Sequence, residues 1–189
     1  MRLRVTHYGE PILRQTGKKV EVFDESLREL VSDMMETMYN EEGVGLAAQQ
    51  VDKALMVCVV DVSHLPDEEL DYQLDGLRQP IDLIMPMALV NPVIKTLPGR
   101  KLIDEEGCLS FPGIRGDVPR DEAIEVTYQD IKGLTHTLVC GGWFARVVQH
   151  EVDHLHGLLF IDQMEKRQLR MLDSKLKRLK QQTRRTLSN

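Results

Sequence analysis

The stretch Gln149-His150-Glu151-Val152-Asp153-His154 constrains the fold more than any other part of the chain. Two histidines four positions apart lie on one face of an α-helix, about one turn from each other, so both imidazoles can reach one metal ion. Glu151 follows His150 directly and can serve as a general base toward water at that metal. A solvated helix that carries these residues by chance is the alternative. If the metal is catalytic, the fold must bring a third protein ligand to this helix.

Bulk composition indicates one globular domain. The chain has 189 residues, of which 42% are apolar and 29% are charged, and this length allows a sizeable core. No apolar run approaches the length that spans a bilayer, and the first residues lack the apolar core of a secretory signal. Three cysteines form an odd, sparse set, which disfavours a disulfide framework and indicates a reducing compartment. We therefore expect a cytoplasmic protein with no signal peptide and no membrane partner.

Charge divides the chain into two parts. Residues 166–189 contain nine Lys or Arg and one acidic residue, Asp173, for a net charge of +8. Since the whole chain has a net charge of −6, residues 1–165 carry −14. We interpret residues 1–165 as a single catalytic domain and residues 166–189 as a basic C-terminal helical tail that suits a polyanion such as nucleic acid. A solvated helix face with a frayed end would explain the same charges without a partner.

The first half of the chain has one clear helical pattern and one clear strand pattern. Asp24 can cap a helix that should end near Gly43. The apolar residues of that helix recur with a period of 3.6: Leu27, Leu30, Val31, Met34 and Met38. Residues 55–62 are nearly all apolar and have the composition of a buried strand.

The middle of the chain is less regular. Residues 63–86 are acidic and contain three prolines, so we expect an acidic surface insertion with little order. Residues 89–94 should form an edge strand, because Pro92 has no N–H to donate to a ladder.

The second half should contain a hairpin and two helices. Residues 124–128 and 135–139 alternate apolar and polar side chains and are separated by turn-forming residues, which predicts a β-hairpin. The metal-binding helix should begin after Gly142, and the last helix has a narrow leucine stripe that could pack on the body or on a partner. These patterns predict an α+β fold: antiparallel strands packed around a central H-E-x-x-H helix, with an N-terminal helix and a basic C-terminal helix.

The third metal ligand should lie upstream of the two histidines. Downstream, Phe160 stands where a metzincin protease has histidine, and Glu165 is eleven residues beyond His154. Upstream, Cys108 lies in a stretch rich in turn formers, and one thiolate with two imidazoles makes a tetrahedral site with an open fourth position. Two alternatives stay open: Cys140 could be the ligand, or Cys108 could be a small buried apolar residue.

Three stretches together resemble the peptide deformylase family. Residues 43–50 (Gly-Val-Gly-Leu-Ala-Ala-Gln-Gln) are similar to its first motif, residues 106–110 (Glu-Gly-Cys-Leu-Ser) to its second, and residues 149–154 to its third. The motifs occur in the family's order, and the resemblance covers most of residues 5–165. Two departures are Gln49, where many members have proline, and the length of the 63–86 insertion.

The resemblance implies an enzyme that removes the formyl group from formyl-methionine at the N-terminus of new polypeptides and releases formate. It implies metal ligands Cys108, His150 and His154, with Fe(II) the favoured metal and Zn(II) or Ni(II) possible in purified protein. Glu151 would accept the proton of the attacking water and pass it to the departing amine. The side-chain amide of Gln50 and the backbone N–H of Leu109 would stabilise the oxyanion.

The substrate should lie between the first motif and the metal helix. Two glycines, Gly43 and Gly45, allow a peptide backbone to approach closely, and the family binds substrate main chain at the second of them. The resemblance implies that Val44, Trp143 and Val147 line an apolar methionine pocket, although Trp143 could be plain core. Other positions implied by the resemblance are Arg115, beyond the methionine, and an ion pair between Glu106 and Arg120.

Three functional hypotheses follow. A deformylase is favoured; a zincin-type endopeptidase is disfavoured by the missing downstream ligand; and a nucleic-acid-binding protein would need a structural metal closed by a fourth ligand. The basic tail suits the first hypothesis too, since an enzyme that acts on nascent chains would benefit from binding ribosomal RNA. The oligomeric state is left open, and bacterial and mature organellar origins both fit the sequence.

Overall fold

One helix, Gly142–Leu155, runs through the centre of the protein in this computed structural model, which describes residues 1–188. The α-helices of the described chain are α1 (Glu25–Asn40), α2 (Ile81–Ile84), α3 (Gly142–Leu155), α4 (Phe160–Gln163) and α5 (Lys166–Leu187). The strands are β1 (Gly45–Ala47), β2 (Val57–Val60), β3 (Tyr72–Leu74), β4 (Met87–Thr96), β5 (Lys101–Gly107), β6 (Arg115–Asp121), β7 (Ala123–Gln129) and β8 (Thr135–Gly141). Short 3₁₀ helices form at Pro11–Arg14, Ala48–Val51 and Asp67–Glu69.

The strands form two antiparallel sheets. Six of them make one sheet in the order β1-β2-β4-β7-β8-β3, and β5 pairs with β6 in a separate two-stranded sheet. The predicted hairpin is confirmed, because β7 and β8 pair from Ala123↔Gly141 to Gln129↔Thr135. The predicted α+β class, with helices at both ends of the chain, is also confirmed.

Helix α1 covers one face of the large sheet. The Asp24 side chain accepts a hydrogen bond from the Leu27 N–H and so caps the helix, as predicted. The apolar stripe of α1 packs into a core that includes Leu46, Val57 and Val59, from β1 and β2. The first motif is therefore held between α1 and the sheet.

Helix α3 is buried almost along its whole length. It packs against β1, β2 and β8, and its apolar side, with Phe144, Val147, Val148 and Leu155, lies in the main core. Because both sides of α3 contact protein, its polar residues are fixed within the fold. This burial gives the two histidines a rigid support.

The position of β4 corrects one prediction. Residues 89–94 lie in an interior strand, paired with β2 on one side and β7 on the other, and are not an edge strand. The register to β7 shifts between Val90 and Val93, so Pro92 sits in a bulge where the ladder needs no donor. Asn91, with a φ of 52°, stabilises this bulge by donating its N–H to the Met56 carbonyl.

Residues 63–86 correct a second prediction, because they contribute to the core and are not only a surface insertion. Strand β3 extends the large sheet beside β8, with Tyr72 opposite Cys140. The Tyr72 ring is buried and meets the Phe144 ring edge-on at 6.0 Å between centroids, and Ile81 is also buried. The acidic residues of this segment are thus interspersed with apolar anchors.

Helix α5 packs on the body of the protein. Leu176 and Leu179 are buried in a cluster with Phe111 and Phe160, while the nine basic side chains of the helix are exposed. The leucine stripe is therefore an intramolecular contact. Residue 189, the end of the predicted tail, lies outside the described residues. No helix within residues 1–188 combines the length and apolar composition that crossing a bilayer requires.

Candidate active site

Three side chains from two elements meet beside α3. Cys108 follows β5 directly, and His150 and His154 lie one turn apart on α3. The Cys108 sulfur and the ring nitrogens lie within 4.8 Å of one another, and Sγ is 3.3 Å from Nε2 of His154. Within residues 1–188 this is the one group of three or more His, Cys, Asp or Glu side chains close enough to share an ion. The structure therefore brings together the three residues that the sequence proposes as ligands.

The other cysteines lie elsewhere. Cys140 is buried in β8 opposite Tyr72, and Cys58 is buried in β2. Burial raises the pKa of both thiols, with nearby carboxylates adding to the effect, so both stay protonated. The alternative in which Cys140 is the third ligand is wrong, because its side chain belongs to the core of the sheet.

Glu106 fixes the orientation of His150. The Nδ1 atom of His150 lies 2.8 Å from Oε2 of Glu106, so an Nδ1–H donates to the carboxylate and leaves Nε2 free as a ligand atom. Burial opposes ionisation of Glu106, but hydrogen bonds from His150 and Arg120 outweigh it and lower the pKa to about 2. The pair of Glu106 and Arg120 is buried, with side chains 4% and 5% exposed.

A small ionic network surrounds Glu106. Its carboxylate accepts hydrogen bonds of 2.8 and 3.0 Å from Arg120 and another of 2.8 Å from Arg146. Arg120 also pairs with Asp153 on α3. Two guanidinium groups and two carboxylates thus balance in charge, which is the condition under which buried ions are tolerated.

His154 has the protonation state that a ligand requires. Burial lowers the pKa of His154 well below its ordinary value, and the positive charge of Arg120 acts in the same direction. Its ring is therefore neutral, with Nε2 facing the sulfur of Cys108.

Glu151 lies next to this group without belonging to it. Its side chain is buried, and within residues 1–188 its Oε2 atom has no hydrogen-bond partner. Burial raises the pKa of Glu151 to about 7. A carboxylate with a pKa near neutrality can both accept and return a proton.

Gln50 directs its amide group toward the cysteine loop. Its Oε1 accepts the Ala47 N–H at 2.8 Å, which leaves Nε2 pointing at Cys108 Sγ, 3.4 Å away, and Ser110 Oγ, 3.3 Å away. The backbone N–H of Leu109 donates to no acceptor among residues 1–188. Two donors are therefore available beside the sulfur.

A cleft of about 780 Å³ opens onto these residues. Its walls include Cys108, Leu109, Gln50, His150 and Glu151. Five of the predicted substrate-binding residues also line it: Val44, Gly45, Arg115, Trp143 and Val147. Trp143 is 38% exposed, so it is part of the cleft wall and not of the core.

Gly43 lies against Leu109 at the edge of the first motif. It does not line the cleft; a Cβ atom there would lie 2.8 Å from Cδ1 of Leu109. Its missing side chain therefore gives room to Leu109, while Gly45 faces the cleft. A contact of Gly43 with the substrate stays a prediction.

Sequence reasoning missed two residues at this site. Arg146 is buried against Glu106, and Lys175 of α5 lines the open side of the cleft. A basic residue one turn before His150, in an otherwise apolar part of the helix, was the available signal for Arg146. No local signal marks Lys175, because its place depends on how α5 packs.

Comparisons with known proteins agree on one family. Residues 2–170 match the family model described as polypeptide deformylase. The chain is 49% identical to a peptide deformylase of Opitutus terrae, over 97% of this chain and 96% of that protein. It is 42% identical to the peptide deformylase of Chlorobaculum parvum, over 96% of this chain and 89% of that one.

Solved structures give the same result. The fold is similar to a peptide deformylase from Synechococcus elongatus in complex with actinonin, with a TM-score of 0.77 and 39% identity over 92% of this chain and 87% of that one. It is also similar to a plant peptide deformylase, with a TM-score of 0.85 and 33% identity over 99% and 94% of the two chains.

Proposed function

The chain belongs to the polypeptide deformylase family, and we propose from this premise which of its residues perform the family's reaction. That reaction is hydrolysis of the N-formyl group of formyl-methionine at the N-terminus of newly made polypeptides, with release of formate. The observation that carries the assignment of residues is the convergence of Cys108, His150 and His154 beside the buried carboxylate of Glu151.

Cys108, His150 and His154 would hold one divalent metal ion. The donor set fits: one sulfur and two imidazole nitrogens lie within 4.8 Å of one another, and His150 is oriented by Glu106. Such an ion would lower the pKa of water from 15.7 toward about 7 and polarise the formyl carbonyl. We propose Fe(II) in the cell, with Zn(II) or Ni(II) able to take the same donors in purified protein.

Glu151 is the general base and then the general acid. It takes a proton from the water that attacks the formyl carbon, and it returns that proton to the nitrogen of methionine as the C–N bond breaks. The free Oε2 atom and the pKa of about 7 support this role. The products are formate and a polypeptide with a free amino group.

Gln50 and Leu109 stabilise the charge on the formyl oxygen during this step. The Nε2 of Gln50 and the backbone N–H of Leu109 are donors beside the sulfur of Cys108, and both are held before the substrate arrives. Donors that need no rearrangement are the most effective kind, since each typically contributes about 3–4 kcal/mol to the transition state.

The methionine side chain would lie against Val44, Trp143 and Val147. These three side chains line the cleft together with Leu109, and they offer apolar contacts to a thioether. Arg115, on the same cleft and 67% exposed, would meet the peptide beyond methionine. Gly45 lines the cleft from β1, and its lack of a side chain makes room for the Glu151 carboxylate.

A chelator experiment tests the proposed chemistry. Formate release from a formyl-Met peptide is measured with the purified protein, with the same protein after chelator treatment, and after a divalent metal is added back. We expect release that is lost with the metal and restored with it. Release that is unaffected by complete removal of the metal would contradict the assignment.

The basic face of α5 would bind the ribosome. Arg178 and Arg185 point away from the leucine contacts of the helix and carry no ion pair among the described residues. Several such positive charges on one helix would attract RNA phosphates in a salt-dependent manner.

Charge reversal tests ribosome binding without removing α5, whose leucines are part of the core. We expect the double variant Arg178→Glu with Arg185→Glu to bind ribosomes more weakly and to keep full activity on a short peptide. The matched control is Lys53→Glu with Lys132→Glu, which changes the net charge equally at exposed positions outside α5. Equal ribosome binding by the two double variants would contradict this proposal.

A further inference from the structure

Arg146 links the metal helix to both strands next to the cysteine loop. It lies on α3 four residues before His150, and its side chain is 5% exposed. Its Nη1 donates to Oε1 of Glu106 and to the Val118 carbonyl, both at 2.8 Å, and its Nη2 donates to the Leu102 carbonyl at 2.7 Å. One buried guanidinium therefore joins α3 to both β5 and β6.

These contacts bear on the geometry of the metal site. Cys108 follows β5, while both histidines are on α3, so the three donors meet only if the β5–β6 hairpin is held against the helix. Because β5 and β6 form a sheet of their own, side-chain hydrogen bonds supply much of this link, beside one backbone hydrogen bond from Gly142 to the Glu122 carbonyl. Glu106 lies two residues before Cys108 and contacts His150 directly.

Arg146 and Arg120 donate to the Glu106 carboxylate from two different elements. Arg120 extends from β6 and reaches Asp153 on α3, whereas Arg146 extends from α3 and reaches β5 and β6. Loss of Arg146 would remove the donor to the Val118 and Leu102 carbonyls and one of the two donors to Oε1 of Glu106. The remaining guanidinium would then have to position the carboxylate alone.

We propose that Arg146 is a positioning residue that clamps the Cys108-bearing hairpin onto α3 and aligns Glu106 with His150. It acts on the metal site through Glu106 and through the two strands, since its guanidinium hydrogen-bonds Glu106 and two strand carbonyls and none of the three donor side chains among the described residues. This inference rests on the proposed metal site. It adds a requirement: the ligand triangle depends on a basic residue one helical turn before the first histidine.

Gln149 provides a matched control on the same helix. Its side chain is also buried, and it makes three hydrogen bonds: from the Asp121 N–H at 3.0 Å, and to the carbonyls of Asp121 and Ala145 at 2.9 and 3.0 Å. It thus joins α3 to the end of β6, but it contacts neither Glu106 nor the cysteine loop. Gln149→Met removes a comparable number of buried hydrogen bonds.

The experiment compares three variants, Arg146→Met, Arg146→Lys and Gln149→Met, with the wild type, and Zn(II) is the metal used. Zinc affinity is measured by competition with a chromophoric chelator, and thermal unfolding is measured on the metal-free proteins. We expect Arg146→Met to lose about 10-fold in zinc affinity, the lower end of the loss typical when a direct hydrogen-bond partner of a metal ligand is removed, because Arg146 acts through such a partner, Glu106. Arg146→Lys should recover part of the loss, and Gln149→Met should keep an affinity close to that of the wild type even if its melting temperature falls equally.

The outcomes separate this inference from the proposed function. If Arg146→Met loses no more zinc affinity than Gln149→Met, Arg146 is only structural and the inference is wrong. If Arg146→Met does not fold, Arg146→Lys decides: an affinity equal to that of the wild type overturns the inference, and a selective loss supports it. Failure of the wild type to bind zinc would instead overturn the proposed metal site itself.

Discussion

Gly45 and Glu151 lie so close that the carboxylate group occupies the space a side chain at position 45 would need. A Cβ atom on Gly45 would lie 2.7 Å from both Cγ and Cδ of Glu151, closer than real Cβ contacts occur. Strand β1, which carries Gly45, is itself held by β2. The position of the proposed catalytic base thus depends on the absence of a side chain in the first motif.

Replacing Gly45 by alanine should therefore displace Glu151. We expect Gly45→Ala to lower kcat by about 100-fold, the order of loss that a misplacement of about 1 Å can cause. Steady-state kinetics on a formyl-Met peptide measure this effect. Gly99→Ala is the control, because a Cβ atom at Gly99 meets only Glu122 and at ordinary contact distances. Equal kcat values for the two variants would contradict the proposed contact.

Cys108 should be needed for the metal, and Cys140 should not. We expect Cys108→Ser to lose more affinity than the about 10- to 100-fold that an outer hydrogen bond contributes, because a ligand atom itself is replaced. Cys140→Ser should keep its metal content but unfold at a lower temperature, since it places a hydroxyl in the core of the sheet. Metal analysis and thermal unfolding of both variants distinguish these effects. Undiminished metal affinity in Cys108→Ser would remove the thiolate from the site.

Gln50 should act on the transition state more than on binding. We expect Gln50→Ala to lower kcat by about 10²- to 10³-fold with a smaller change in KM, the usual result of deleting one oxyanion donor. Gln49→Ala is a control at the adjacent buried position, where the amide contacts the Leu155 carbonyl and does not face the cleft. A change confined to KM in Gln50→Ala would assign this residue to substrate binding.

His136 should make stability depend on pH. Its Nδ1 lies 2.7 Å from the Asp75 carboxylate, beyond the end of β3, and this hydrogen bond raises the pKa of His136. A raised pKa means that the stabilisation is complete below about pH 6.5 and is lost as the pH rises through the folded-state pKa. The same contact lowers the pKa of Asp75, so its contribution is present above about pH 3.8 and is lost as the pH falls through its lowered pKa.

Urea unfolding of the wild type and His136→Gln from about pH 5 to pH 9 measures this contribution. Since Asp75 is half exposed, the difference at low pH should be below about 1 kcal/mol. The two proteins should converge in stability as the pH rises. A difference that stays constant over this range would show that the imidazole charge plays no part.

Local patterns predicted the helices and the hairpin well because their causes are local. Asp24 caps α1 through its own backbone neighbour, and β7 and β8 are joined by a short turn. The place of Pro92 could not be predicted in this way. Its bulge inside the sheet is stabilised by Asn91, whose side chain contacts Val20, which is distant in sequence.

The sequence predicts the proposed metal ligands of the site, but it does not predict the residues that hold them in place. His150 and His154 are related by helical periodicity, and Cys108 was favoured by elimination and by family resemblance. Arg146 extends from α3 to two strands, β5 and β6, and its role follows only from their packing. Lys175 reaches the cleft because α5 packs on the body, which the leucine stripe allowed but did not require.

The most direct test of the account is metal content and formate release measured on one preparation of Glu151→Gln. Because Glu151 lies beside the three donors and is not one of them, the variant should bind the same amount of metal as the wild type. The rate of formate release should fall by about 10²- to 10⁴-fold, the usual contribution of a positioned general base. Formate release near the wild-type rate at full metal content would contradict the central claim that Glu151 moves the proton in this site.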